Sequence, residues 1–158
     1  MKHSIKTGFS FGMTSGIITT LGLIVGLNAS THSQISVIGG ILTIAIADSF
    51  SDALGIHISQ ESQNKYSVRE IWEATGATFL SKLFFALTFI VPIIFLELSK
   101  AVLISVIWGM LILSIASYFI SKQNKENPKK VITEHLAIGL IVVIVTGFVG
   151  NWIRVFFN

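Results

Sequence analysis

The chain has 158 residues, of which 52% are hydrophobic and only 12% charged, with a mean hydropathy of +0.77 and a formal charge of +3. Soluble domains carry about 25% charged residues, so this composition excludes an ordinary soluble fold and describes an integral membrane protein. The lack of cysteine excludes disulfides, thiolate metal sites and cysteine catalysis. The basic residues lie in segments flanking apolar runs, which is not the pattern of a nucleic-acid binder.

A helix needs about 20 apolar residues to cross the hydrocarbon core. Apolar runs fall at roughly 8–29, 34–58, 74–97, 100–121 and 131–156. They predict five transmembrane helices in one all-α domain over 1–158, with no separate soluble domain. The first run is longer than a signal-peptide core of about 7 to 15 residues and has no convincing cleavage site, so it is expected to remain as a mature helix. With five spans, Lys2, Lys6, Lys65, Arg69, Lys122, Lys125, Lys129 and Lys130 share one side, and only Lys100 and Arg154 lie on the other. This asymmetry predicts a cytoplasmic N-terminus and an outside C-terminus. The expected location is a multi-pass membrane position, in the cell membrane if the source is prokaryotic.

Helix 1 carries Gly8, Gly12, Gly16 and Thr20 at steps of four, with Gly22 and Gly26 repeating the step. Small residues at this spacing let helix backbones approach closely in a membrane, so a packing face is the first reading. Ser15, Thr19 and Thr20 add hydroxyls that either bond back to their own helix or line a path. The segment 28–33 is a polar outer turn containing a solvated His32.

Helix 2 contains the most anomalous stretch, ADSFSDALGIHISQES at 47–62. Asp48 and Asp52 are four apart, so they share one helix face about 40° apart and roughly 6 Å along the axis. Asp48 lies near mid-depth. Ser51, Gly55, Ser59 and Ser62 continue a small, polar stripe toward the cytoplasm. A charge in the bilayer core costs from ~2.5 to more than 10 kcal/mol, which makes this pair a functional-site hypothesis. His57 and Glu61 point to the opposite helix face, and His57 is expected to be an interfacial residue.

The 59–73 segment holds Glu61, Glu70 and Glu73, a reduced acidic patch read either as a solvated face or as a cytoplasmic metal entry, with Glu70 and Glu73 on a possible short helix. Helix 3 contains Lys82, about 12 Å inside its cytoplasmic boundary, against about 10 Å for Asp52. Two arrangements suit that depth: an ion pair with Asp52, which leaves Asp48 as the free carboxylate, or snorkelling to the headgroups. Glu97 and Lys100 bracket a tight outer turn. Helix 4 is uncharged, and its Trp108 and Met110 read as packing residues. Trp72, Tyr118 and Trp152 suit the aromatic belts. KQNKENPKK forms a basic cytoplasmic turn, after which Glu134 and His135 begin helix 5 without evident metal-binding partners.

SGIITTLGLIVGL in helix 1 and ADSFSDALGIHISQES in helix 2 resemble the two signature segments of the vacuolar iron transporter (VIT) family. GATFLSKLFFALTFIVPIIF, with Pro92 at the family's proline, and AIGLIVVIVTGFVG extend the likeness over nearly the whole chain. The resemblance implies a five-helix protomer, a homodimer packed through helices 1 and 2, and export of ferrous iron or a similar divalent cation in exchange for protons. The chain departs from the family pattern at several positions. Ser15 stands where the family has an acid, Asp52 where it has a methionine, and Ile44 and Ile56 at two further acidic positions; the Glu- and Met-rich cytoplasmic helices are missing.

On this reading Asp48 and Asp52 are the metal ligands, with Ser15, Thr19 and Ser51 along the path. Hard carboxylate oxygens suit Fe²⁺ or Mn²⁺, and protons would compete with the ion for the pair. No resident cofactor is expected. The expected partners are membrane lipid, the transported divalent ion, protons and a second copy of the chain. The alternative is a structural or regulatory membrane protein in which Lys82 locks Asp52. Enzyme activity is not expected, because two aspartates on one helix cannot flank a substrate and no GxGD or HExxH motif is present.

Overall fold

The computed structural model describes residues 3–157, and 91% of the structure is helical, with no strand among the described residues. In chain order the helices are α1 (His3–Thr31), α2 (Gln34–Glu61), α3 (Val68–Thr88), α4 (Ile90–Phe95), α5 (Leu98–Asn124) and α6 (Pro128–Phe157). With α3 and α4 taken as one broken span, five helices are long and apolar enough to cross a membrane. The architecture is that of a multi-pass membrane protein. Lys2, one of the residues in the charge asymmetry, lies outside the described residues.

The helices run past the apolar stretches that announce them. α1 starts at His3 instead of near residue 8, and α3 starts at Val68 instead of near 74. Hydropathy marks the bilayer, whereas backbone hydrogen bonding continues through polar residues beyond it. The link between α2 and α3 therefore shrinks to residues 62–67, and the link between α1 and α2 to His32 and Ser33.

Side-chain caps fix these ends. The Ser33 hydroxyl accepts from Ser36 N–H at the start of α2. Ser67 and Glu70 form a reciprocal capping box at the start of α3. Asn127 Oδ1 accepts from Lys129 N–H just ahead of Pro128, the first residue of α6. Each cap satisfies donors that the first helical turn leaves unpaired.

The third span breaks at Phe89. Pro92 explains the break: it has no N–H to offer the carbonyl four residues back, and its ring crowds that carbonyl. The chain tightens there, with Phe89 N–H donating to the Ala86 carbonyl at 3.2 Å.

α1 is the centre of the bundle: 44% of its apolar window is buried, against 11% for α6. Its glycines explain how so many neighbours fit around it. A Cβ at Gly8 or Gly12 would overlap the α3 backbone at Ala74 or Thr78. Because Gly8 admits α3 so closely, Thr78 Oγ1 donates across the interface to the Gly8 carbonyl at 3.2 Å. Farther along, Gly150 of α6 lies directly against the Gly26 carbonyl. The core beyond these contacts is apolar, built on Ile17, Leu21, Ile24, Ile41, Phe89 and Leu113.

Candidate functional site

The α1–α3 contact that the glycines permit sets the position of Lys82. The backbone of Gly16 lies against Lys82, whose α-carbon would be 3.2 Å from an added Cβ. From this anchorage the Lys82 side chain, 1% exposed, reaches the face of α2 that carries both aspartates. Burial to this degree is the ion-pair arrangement and not the snorkelling one.

Lys82 Nζ lies 2.5 Å from Asp52 Oδ2 and donates a hydrogen bond to it. It also donates to Ser15 Oγ at 2.9 Å. The Ser15 hydroxyl donates in turn to Asp52 Oδ2 at 2.6 Å, closing a triangle of Ser15, Asp52 and Lys82 across three helices. Asp48 Oδ2 also lies 2.5 Å from the ammonium, but it has no hydrogen bond of acceptable direction. The lysine thus meets both carboxylates, where the sequence suggested only Asp52. The contact with Asp48 is electrostatic and that with Asp52 is electrostatic and directional.

The charge balance follows. Counted at full formal charge, two carboxylates around one ammonium leave one negative charge in excess. The carboxylates are not sealed: Asp48 is 27% exposed and Asp52 20%, while Lys82 is nearly inaccessible. Asp48 borders an open groove of about 560 Å³ lined by Leu23, Gly40, Thr43, Ile44, Ala47 and Ser51. Ser51 is exposed on that side.

Thr19 takes the other course open to its hydroxyl, donating back to the Ser15 carbonyl at 2.9 Å. Ser49, fully buried beside Asp48, has a hydroxyl without a hydrogen-bond partner among the described residues. Sequence reasoning did not single it out. The available signal was its step of four from Ala45 and Ala53, the buried small residues of α2.

The acids of the 59–73 segment are engaged elsewhere. Glu70 and Glu73 lie in the opening turns of α3 itself and not on a separate short helix. Glu70 Oε2 accepts from the N–H and hydroxyl of Ser67, at 2.9 and 2.7 Å. Glu73 accepts from Arg69 Nε at 2.9 Å and from the Ser4 hydroxyl at 3.1 Å. Glu61 ends α2 and is exposed. No group of three or more His, Asp or Glu residues placed to hold a metal occurs among the described residues.

The histidines are held individually. His57 hydrogen-bonds Thr75 at 3.0 Å and packs edge-on to Trp72. His135 meets Ser117 at 2.8 Å. His32 lies between the Asn28 carbonyl and Arg154, both at 2.6 Å.

No protein-family model matches this chain, and no curated protein does.

Proposed function

We propose that this chain transports a divalent cation, Fe²⁺ or Mn²⁺, out of the cytoplasm in exchange for protons, with Asp48 and Asp52 as the ligands and Lys82 as the resident counter-charge. The observation that carries the reading is the charge balance at the site. A pair of carboxylates shares one buried ammonium, is left one negative charge in excess, and opens on one side to a groove. In the resting arrangement Lys82 occupies the place of a cation. A divalent ion that enters along Ser51 and Asp48 competes with the ammonium for the same oxygens, and protons reset the pair by the same competition.

The resemblance to vacuolar iron transporters supports the same substrate class and adds the homodimer. α2 offers a surface suited to a second copy. Gly39, Thr43, Ala47, Ser51 and Gly55 recur every four residues along its exposed side, next to the aspartates. Two copies packed on this stripe would bring four carboxylates and two lysines toward one axis, raising the number of oxygen donors available to an ion.

A second reading, a non-transporting structural or regulatory protein, is favoured by a different feature of the same cluster. Ser15, Asp52 and Lys82 join α1, α2 and α3 through three directional hydrogen bonds. Uptake of Fe²⁺ and Mn²⁺ into proteoliposomes under an imposed pH gradient separates the two. Transport predicts metal-dependent proton flux in the wild type and its loss in both Asp48→Asn and Asp52→Asn. Absence of flux in a well-folded wild type would leave the structural reading.

A further inference from the structure

A second site lies at the lysine-rich end of the bundle, away from the aspartates, where α1 and α5 part to form a cleft with two chemically distinct sections. The outer section, about 520 Å³, is lined by His3, Lys6, Thr7, Ser10, Gln123 and Asn124. The inner section, about 340 Å³, shares Ser10, Ile120 and Gln123 with the first and continues between apolar side chains that include Met13, Phe85, Ile112 and Phe119. Neither section is lined by a carboxylate. Lys6 has no acidic partner among the described residues, and of the lysines that lack one it is the one that lines the cleft.

We infer that this cleft binds one anionic glycerophospholipid, with the phosphate at Lys6, Gln123 and Asn124 and an acyl chain between α1 and α5. Three features select this occupant. The first is length: along α5 the cleft runs from Asn124 to Ile112, 12 residues or ~18 Å at 1.5 Å per residue. Half of a ~30 Å hydrocarbon core is ~15 Å, so the cleft spans one leaflet. The second is polarity, which changes once along the cleft in the order of a headgroup followed by a tail. The third is charge. The mouth is cationic and rich in amide groups and hydroxyls, and it sits at the end with most of the lysines, where basic pockets between transmembrane helices meet anionic headgroups. A soluble anion would use the mouth but leave the apolar section unfilled, and a neutral lipid would leave Lys6 without a counter-charge.

The test is lipid retention by the purified full-length protein in detergent, read by native mass spectrometry with phosphatidylglycerol or phosphatidylcholine added, together with the melting temperature. The wild type should keep one phosphatidylglycerol in preference to phosphatidylcholine and melt at a higher temperature with it bound. Lys6→Glu should weaken that retention about tenfold. Lys125→Glu, at the same end but outside the cleft, should not. Equal weakening by both variants would mean general surface attraction and would overturn the site. Full displacement of the lipid by soluble glycerol phosphate would also overturn it, since the apolar section would then contribute nothing. If Lys6→Glu misfolds, Ile115→Trp, which narrows the apolar section at an exposed position, must lower retention in its place, and unchanged retention would refute the proposal.

Discussion

α1 and α2 carry the same signal in sequence, small residues at steps of four, yet they use it in opposite ways. In α1 the small positions are filled by other parts of the chain: α3 closes on Gly8, Gly12 and Gly16, and α6 closes on Gly22 and Gly26. In α2 the outer stripe of Gly39, Thr43, Ala47, Ser51 and Gly55 is exposed, and nothing lies within 4 Å of a Cβ placed at Gly39 or Gly55. The small residues of α1 hold the fold together, and those of α2 leave a face open beside the only aspartates in the chain. Spacing alone does not distinguish the two uses, because both satisfy the same rule of close helix approach.

One substitution made on each helix would break this comparison most sharply. Gly12→Leu drives a side chain into the Thr78 backbone, where rigid backbone cannot yield, so it should abolish the folded protein or cost about 3 kcal/mol or more. Gly55→Leu meets open space and removes a poor helix former, so the melting temperature should hold or rise, corresponding to as much as ~1 kcal/mol. If the outer stripe of α2 is the dimer surface, the same Gly55→Leu protein should shift toward monomer in light scattering. Equal tolerance at the two sites would erase the distinction between the helices.

Ser15→Ala should have a smaller effect. It removes the hydroxyl that accepts from Lys82 and donates to Asp52. Losing hydrogen bonds to charged groups costs about 1.5–3 kcal/mol, and the expected reading is a lower melting temperature with the fold retained. Thr19→Val should have the smallest effect, within about 0.5 kcal/mol, because its hydroxyl only returns to the Ser15 carbonyl of its own helix. A large loss of transport from Thr19→Val would show that the hydroxyl serves the path.

The number and order of the membrane-spanning helices were legible in the sequence because long apolar runs have few alternatives in a bilayer. The third span reads in sequence as one helix over 74–97, because its apolar run is continuous; the break is marked only by the missing N–H of Pro92. The helix ends were less legible, since polar residues such as those of HISQE extend α2 past the end of its apolar run. At the site, the shared face of Asp48 and Asp52 followed from their spacing, and the match in depth pointed to Lys82. That Lys82 would touch both acids, and that Ser15 would complete the cluster, depends on how closely α3 approaches α1. That distance is set by Gly12 and Gly16 in three dimensions and has no counterpart in linear spacing.

The most direct test of the central claim, that the ammonium of Lys82 and a divalent ion compete for Asp48 and Asp52, is Mn²⁺ binding to Lys82→Met measured by isothermal titration calorimetry beside the wild type. A unit charge about 4 Å away at an effective dielectric near 20 is worth ~4 kcal/mol. Removing it should therefore tighten Mn²⁺ binding by at least about tenfold in a folded Lys82→Met protein, and Asp48→Asn added to that variant should reverse the gain. Binding that is absent or unchanged in folded Lys82→Met would contradict the account. Unfolding of that variant even in saturating Mn²⁺ would do the same, and would identify the cluster as the fastening of three helices.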